Sequence, residues 1–312
     1  MDLSIVAGSA NRPLAAAIAQ QLGVALTPCL IERFPDGELH LALQESVRGR
    51  DVYLIQPSSP PVHDHLLELL LLADACRRAG AGRLTAVMPY LGYARQDRRA
   101  GGREAVGARL VATLIAASGL QRVVAVDLHS PALEGFFDVP LEHLSAVPLL
   151  AEAARPWVTA DSVVVAPDLG AVRLAERYAG LLHLPVAVVH KVRMSGAAVR
   201  VRGITGEVRG RAPLIVDDMI STGATVEAAI ATLLAAGCRP EIGLVASHAL
   251  LVEDAVERLL AQPLRRVAAT DSVLEPPGQR LPLQVVGLRA LLAAAIERLH
   301  TNRSLSDLLA YA

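Results

Sequence analysis

Lysine is almost missing from this chain of 312 residues. Lys and Arg together number 30, yet only Lys191, in "VAVVHKVRMSG", is lysine. With a formal net charge of −1, no general electrostatic grip on nucleic acid or on an anionic membrane is expected. Aromatics make up 3% of residues, so a core has to be built mainly from Ala, Leu and Val. Cys29, Cys76 and Cys238 lack metal-ligand spacing and read as reduced, mostly buried thiols of a cytoplasmic protein. The richest apolar run, "HLLELLLLADACRRAG", is broken by Glu68 and Asp74 and falls short of the roughly 18–20 residues a membrane span needs. The opening "MDLSIVAGSA" has no basic stretch and does not read as a secretory signal. The charged fraction of 20% and the positive mean hydropathy argue against disorder.

What is present is an alternation of short β-branched runs with Ala/Leu-rich helical stretches. "DVYLIQ", "RLTAVMPY", "RVVAVDLH", "SVVVAPD", "VAVVHK", "PLIVDD" and "EIGLVASH" read as strands. Continuous apolar strands separated by helices predict parallel sheet covered on both faces. Asp127, Asp168, Lys191 and Asp217 fall at strand ends, where open α/β sheets place their ligands. "SVRGRDVYLI" (46–55) is echoed by "EVRGRAPLIV" (207–216), and "AGAGRLTAVMPY" more loosely by "AAGCRPEIGLVASH". Kept order and a similar offset point to a duplicated α/β half, with the boundary within about residues 141–153. "MSGAAVRVRGITGEV", after Lys191, reads as a mobile loop because of its Gly and Ser.

"PLIVDDMISTGATVEAAIATLL" (213–234) runs from an apolar strand through two carboxylates and a small-residue turn into a helix. Such a turn aims backbone N–H groups and the hydroxyls of Ser221, Thr222 and Thr225 at one anion, and the helix adds its positive end. No Gly-Lys-Ser/Thr follows, so it is not a Walker loop. Plain helix capping also favours Ser, Thr and Asp, but it does not account for adjacent Asp217 and Asp218 ending an apolar strand.

This stretch resembles the phosphoribosyl-binding loop of the type I phosphoribosyltransferase fold. With "FPDGE", "SVRGRDVYLIQ", "YARQDRR", "DLHSPALEGFFDVP", "APDLGAVRLAERYA" and "HKVR", nearly the whole chain resembles the ribose-phosphate pyrophosphokinase family. The resemblance implies an α/β protein of two similar phosphoribosyltransferase-like domains, each a mainly parallel sheet flanked by helices. Residues 1–145 would carry ATP-binding elements and subunit contacts. Residues 146–312 would carry the ribose 5-phosphate loop and the catalytic Lys/Arg, with the C-terminal segment packing back on the N-terminal domain. It implies Mg2+-dependent transfer of the β,γ-diphosphoryl group of ATP to the anomeric hydroxyl of ribose 5-phosphate, by a homo-oligomer.

By the same resemblance Lys191 and Arg193 are catalytic. Arg95, Gln96, Asp97 and His129 serve ATP, as do Phe34, Asp36 and Glu38. The last three are two apart, which places them on one side of an extended segment, the bland alternative being a solvent-exposed β-turn around "PDG"; the ring suits adenine stacking and the carboxylates its exocyclic amine. His129 and Asp168 are expected at the metal. Asp217, Asp218, Ser221, Thr222, Gly223, Ala224 and Thr225 are expected to hold ribose 5-phosphate. Two departures stand out: Ala224 and Ala171 occupy positions where the family usually has glycine, and alanine tolerates positive φ poorly. "RRAGGREAVGARLV", in a region tied to phosphate and ADP regulation, is slightly short. One rival reading is a silent regulatory relative, against which stand Lys191, Arg193, His129 and Asp168. The other is a phosphoribosyltransferase consuming phosphoribosyl diphosphate, which needs neither the adenine-clamp hairpin nor "YARQD".

Overall fold

A computed structural model describes residues 1–195, 198–274 and 280–310, with backbone alone for 191–195 and 198–202. The chain divides into two compact units, residues 1–145 with 272–274 and 288–312, and residues 146–271 with 275–287.

The first unit begins with β1 (Leu3–Ala7), α1 (Arg12–Gln21), the hairpin β2 (Cys29–Arg33) and β3 (Leu39–Leu43), and β4 (Asp51–Ile55). It continues through α2 (Val62–Arg78), β5 (Arg83–Met88), α3 (Gly107–Ala117), β6 (Arg122–Val126) and β7 (Leu141–Leu144). Its sheet is parallel in the order β1-β4-β5-β6-β7, while β2 and β3 pair only with each other. Every residue of β4 is buried, as a strand covered on both faces must be. Alternate residues Val52 and Leu54 meet Leu66, Leu69, Leu72 and Cys76 of α2 and Val111 and Ile115 of α3 in one core. Each such fully buried side chain contributes roughly 1.5–3 kcal/mol. Arg77 and Arg78 close α2, both hydrogen-bonded to Asp74 at 2.6 Å and placed to favour the negative helix end.

The second unit holds α4 (Val147–Ala154), β8 (Ser162–Ala166), α5 (Val172–Leu182), β9 (Val186–Ser195), β10 (Ala198–Thr205) and β11 (Ala212–Ile220). Then come α6 (Ala224–Ala235), β12 (Ile242–Ala249), α7 (Ala255–Leu260), β13 (Leu264–Thr270) and β14 (Leu283–Val286). The sheet order is β10-β9-β8-β11-β12-β13-β14, parallel except for the antiparallel β9–β10 edge hairpin. Of residues 194–208, expected as a loop, 194–195 and 198–205 are therefore strand. The Val/Arg alternation of 199–202 fits an edge strand, and Gly203 sits at a register shift instead of ending the pairing. The last helix, α8 (Arg289–His300), belongs to the first unit and packs on α1.

The repeat seen in the sequence lands on equivalent backbone. Gly49 N–H donates to Gly80 O at 2.8 Å, and Gly210 N–H to Gly237 O at 2.8 Å. Arg50 N–H meets Val47 O, and Arg211 N–H meets Val208 O, both at 3.0 Å. Gly49 and Gly210 take φ of 68° and 69°, a region open to glycine at little cost. On this register β1-β4-β5-β6-β7 corresponds to β8-β11-β12-β13-β14, and the β2–β3 hairpin to β9–β10.

Candidate active site

The residues singled out in the first unit gather on loops beyond the carboxyl ends of its strands and on the hairpin. Phe34, Asp36 and Glu38 lie on a tight turn between β2 and β3, not on an extended segment. Phe34 N–H meets Glu38 O at 2.8 Å and Gly37 N–H meets Phe34 O at 2.9 Å, so the chain reverses within these residues. Asp36 Oδ1 accepts from Glu38 N–H at 3.1 Å. The Phe34 ring is 46% exposed and stacks on His40 with centroids 5.5 Å apart, leaving ring surface for a planar ligand.

Arg95, Gln96 and Asp97 follow β5 on a turn that opens with Tyr93 at φ 64°. Gln96 N–H meets Tyr93 O at 2.9 Å, and Gln96 O accepts from Ala108 N–H at 3.2 Å. Gly107 allows α3 to begin against this turn, because a Cβ there would lie 2.5 Å from Gln96 Oε1. Asp97 pairs with Arg98 at 3.7 Å. Arg95 is exposed.

His129, also exposed, ends a braced segment after β6. Ser145 Oγ donates to Asp127 Oδ1 at 2.9 Å, and Leu128 N–H donates to His143 Nε2 at 2.9 Å. With Nε2 accepting, His143 carries its proton on Nδ1 and donates to Glu134 Oε1 at 3.1 Å. The sequence motifs did not single out Asp127's partner Ser145, or His143 and Glu134 in this role. Their contribution comes from β6–β7 pairing, which no local spacing reports.

In the second unit, β8 lies between β9 and β11, so their carboxyl ends share one edge. Asp168 follows β8 and caps the next turn, its Oδ1 accepting from Gly170 N–H at 2.9 Å. That amide is thus engaged with Asp168. Asp217 and Asp218 sit late in β11, and Asp218 N–H donates to Asp217 Oδ1 at 2.9 Å. Burial raises the Asp217 carboxyl well above the usual range, and the Asp218 and Asp168 carboxylates push the same way. Three acids therefore lie close enough to act on one another's charge. β9 pairs with β8 only through Val188, so the backbone of Lys191 and Arg193 runs on past the sheet edge beside β10. The side chains of both residues lie outside the described residues.

Ser221, Thr222 and Gly223 form the turn into α6, with Ala224 and Thr225 as its first helical residues. The positive φ of this turn, 75°, falls on Gly223. Ala224 is helical, and Ala171 has φ −87°, so neither alanine meets the strain a positive φ would impose. Val252 N–H donates to Ser221 O at 3.1 Å. The Arg258 stem lies 3.5 Å from where a Cβ on Gly223 would be, an ordinary contact distance, and its Nη1 meets Glu227 Oε2 at 2.6 Å. It neutralises an acid in the first turn of a helix whose end has to receive an anion.

Among the described residues no three His, Cys, Asp or Glu side chains gather as a metal cage. A Mg2+ ion usually rests on one or two carboxylates and completes its octahedron with water and substrate phosphates. Asp168, close enough to Asp217 to raise its carboxyl, fits that kind of site.

A profile of the N-terminal domain of ribose phosphate pyrophosphokinase matches residues 3–119, and a phosphoribosyl transferase domain profile matches 152–260. The chain is 43% identical over 308 residues to a ribose-phosphate pyrophosphokinase of Gloeobacter violaceus, covering 98% of this chain and 92% of that one. It is 39% identical to the Bacillus caldolyticus protein of the same name, with 98% of both covered. A crystal structure of phosphoribosylpyrophosphate synthetase from Mycobacterium smegmatis superposes with a TM-score of 0.91 at 37% identity, over 97% of this chain and 100% of that one.

Proposed function

Because the chain belongs to the ribose-phosphate pyrophosphokinase family, we propose that it transfers the β,γ-diphosphoryl group of ATP to the C1 hydroxyl of ribose 5-phosphate. The products are 5-phosphoribosyl 1-diphosphate and AMP. The observation that carries this reading is the pairing of a phosphate turn, Ser221–Thr225, with two loops in the first unit suited to a nucleotide. A phosphoribosyltransferase has no need of the latter.

Each residue has a task set by its surroundings. The Ser221–Thr225 turn and the α6 end hold the 5-phosphate, with Arg258 cancelling Glu227. Asp217 and Asp218 face the sugar hydroxyls. Phe34 stacks on adenine, with Asp36 and Glu38 as acceptors for its amine. Arg95, Gln96 and Asp97 steer the nucleotide, and His129 stands at the triphosphate. Lys191 and Arg193 supply positive charge where it grows on the transferred group and on departing AMP. Such charge speeds the step only if it grips the transition state more tightly than bound ATP. Asp168 and His129 are the residues that would hold Mg2+, which would neutralise phosphate charge when bound. The assembly is a homo-oligomer, in which the Phe34 turn serves a neighbouring subunit. Among the described residues no helix is long and apolar enough to cross a membrane.

Incubation with ATP, Mg2+ and ribose 5-phosphate tests the reading. AMP and phosphoribosyl diphosphate should form in equal amounts, and only with all three present. ADP as the nucleotide product would make the protein an ordinary kinase and overturn it.

A further inference from the structure

The amino end of α2 sends four side chains to four different loops of the first unit. Asp64 accepts from Arg33 Nη2 at 2.7 Å, and Arg33 Nη1 donates to Gly37 O at 2.8 Å, inside the Phe34–Glu38 turn. His63 Nδ1 lies 2.8 Å from Tyr93 Oη, at the start of the Arg95–Asp97 turn. His65 Nδ1 donates to Ser59 O at 2.7 Å, in the loop after β4. Buried Glu68 accepts from Ser9 Oγ at 2.6 Å and Gln56 Nε2 at 2.9 Å, tying down the loop after β1.

An acid in the first turn of a helix is favourable for the helix alone, so Asp64 by itself would mean little. Its partner carries the argument. One guanidinium spans from Asp64 to a backbone carbonyl of the nucleotide turn, and the planar fork of Arg fixes both contacts at once. One residue earlier, His63 holds the ring of Tyr93, whose left-handed backbone costs about 1–2 kcal/mol and needs outside support. Two loops far apart in sequence are thus set against one rigid helix end.

We propose that Asp64 and His63 are positioning residues for the nucleotide, holding the Phe34–Glu38 turn through Arg33 and the Arg95–Asp97 turn through Tyr93. This rests on the assignment of those turns to ATP above. Neither residue touches ATP, and each acts by keeping a binding loop in place.

Steady-state kinetics and ATP titration calorimetry on Asp64→Ala, Arg33→Ala, the double variant and the charge swap Arg33→Asp/Asp64→Arg test it. The pair is exposed, so losing it should raise the ATP KM about three- to five-fold. The ribose 5-phosphate KM, kcat at saturating ATP and the melting temperature should not move. The double variant should cost no more than Arg33→Ala alone, and the swap should recover the part of the ATP affinity lost with the ion pair but not the part lost with the Arg33–Gly37 bond. His63→Ala and Tyr93→Phe should show the same selectivity for ATP. An unchanged ATP KM, an equal rise in both KM values, or additive losses would overturn the proposal. Wild-type protein that neither binds ATP nor forms AMP would instead sink the functional reading on which it rests.

Discussion

The two hairpins occupy the same place in the repeat, yet they are built differently. In the first unit β2–β3 stands apart from the five-stranded sheet and ends in an exposed turn. In the second, β9 is zipped along β8 before running beyond it with β10. A hairpin outside the sheet, packed on α2, can present a ring and acceptors to a planar base. A hairpin anchored at one end can hold cations beside a reacting group. The comparison teaches that duplicated topology was kept while the attachment of one element changed, and with it the proposed task.

The largest effect should come from the anchored hairpin. Lys191→Ala is expected to lower kcat by at least ~10²-fold, as removal of one preorganised donor does, with little change in either KM. Lys191→Arg should restore only part, because a guanidinium is wider and more rigid than an ammonium. Steady-state kinetics decide this, and near-wild-type kcat in Lys191→Ala would erase the proposed division of labour.

A second contrast lies where the echoed strands begin. β4 starts with Asp51, buried between Arg83 Nε at 2.7 Å and His300 Nδ1 at 2.7 Å, whereas β11 starts with Ala212. Burial alone would raise the Asp51 carboxyl, but Arg83 and His300 win and hold it below the usual range. A depressed folded pKa gives stability that is full above the unfolded value, about 3.9, and is lost as pH falls through the folded one. Asp51→Asn should therefore cost about 2 kcal/mol near neutrality, less than the usual loss for a broken buried pair because Arg83 keeps some water. Acid denaturation should also lose its steepness below about pH 4. Urea melts across pH check both, and an unchanged acid limb would show that the pair contributes nothing.

Phe34→Ala probes the detached hairpin. Losing a stacked base should cost roughly 1–3 kcal/mol, seen as weaker ATP binding with ribose 5-phosphate binding intact. Equal losses for both substrates would remove the ring from the site. Thr225→Val should raise the ribose 5-phosphate KM about ten-fold, the worth of one charge-assisted hydrogen bond. An unchanged KM would leave Thr225 as a helix-start residue only.

Much of this was legible in the sequence because it is local. All seven strands read from apolar runs are strands, since β-branched runs bounded by turn residues have few other uses. The order of "VRGR" and "AGAGR" exposed the repeat because the same turns demand the same glycines. The strand–turn–helix of the phosphate loop is likewise contiguous. At Phe34–Glu38 the extended reading gave way to the β-turn around "PDG", because Gly37 at φ 96° reverses the chain there. β10 looked like a loop because glycine at a register shift resembles glycine at a terminus. The α2 hub was illegible for another reason. Its contacts join Glu68 to Ser9 and Asp64 to Arg33, and sequence spacing does not state which loops meet a helix end.

The Asp51 ion pair also bears on how the chain is made. Asp51 leaves the ribosome 249 residues before His300. Domains generally fold as they emerge, amino-terminal first, but the first unit here includes residues 288–312. Its sheet can assemble early, yet α1 has no α8 to pack on and Asp51 has no imidazole until the whole intervening unit has been synthesised. The nascent first unit therefore waits with an apolar helix face and a partly matched carboxylate until α8 has been translated and can dock.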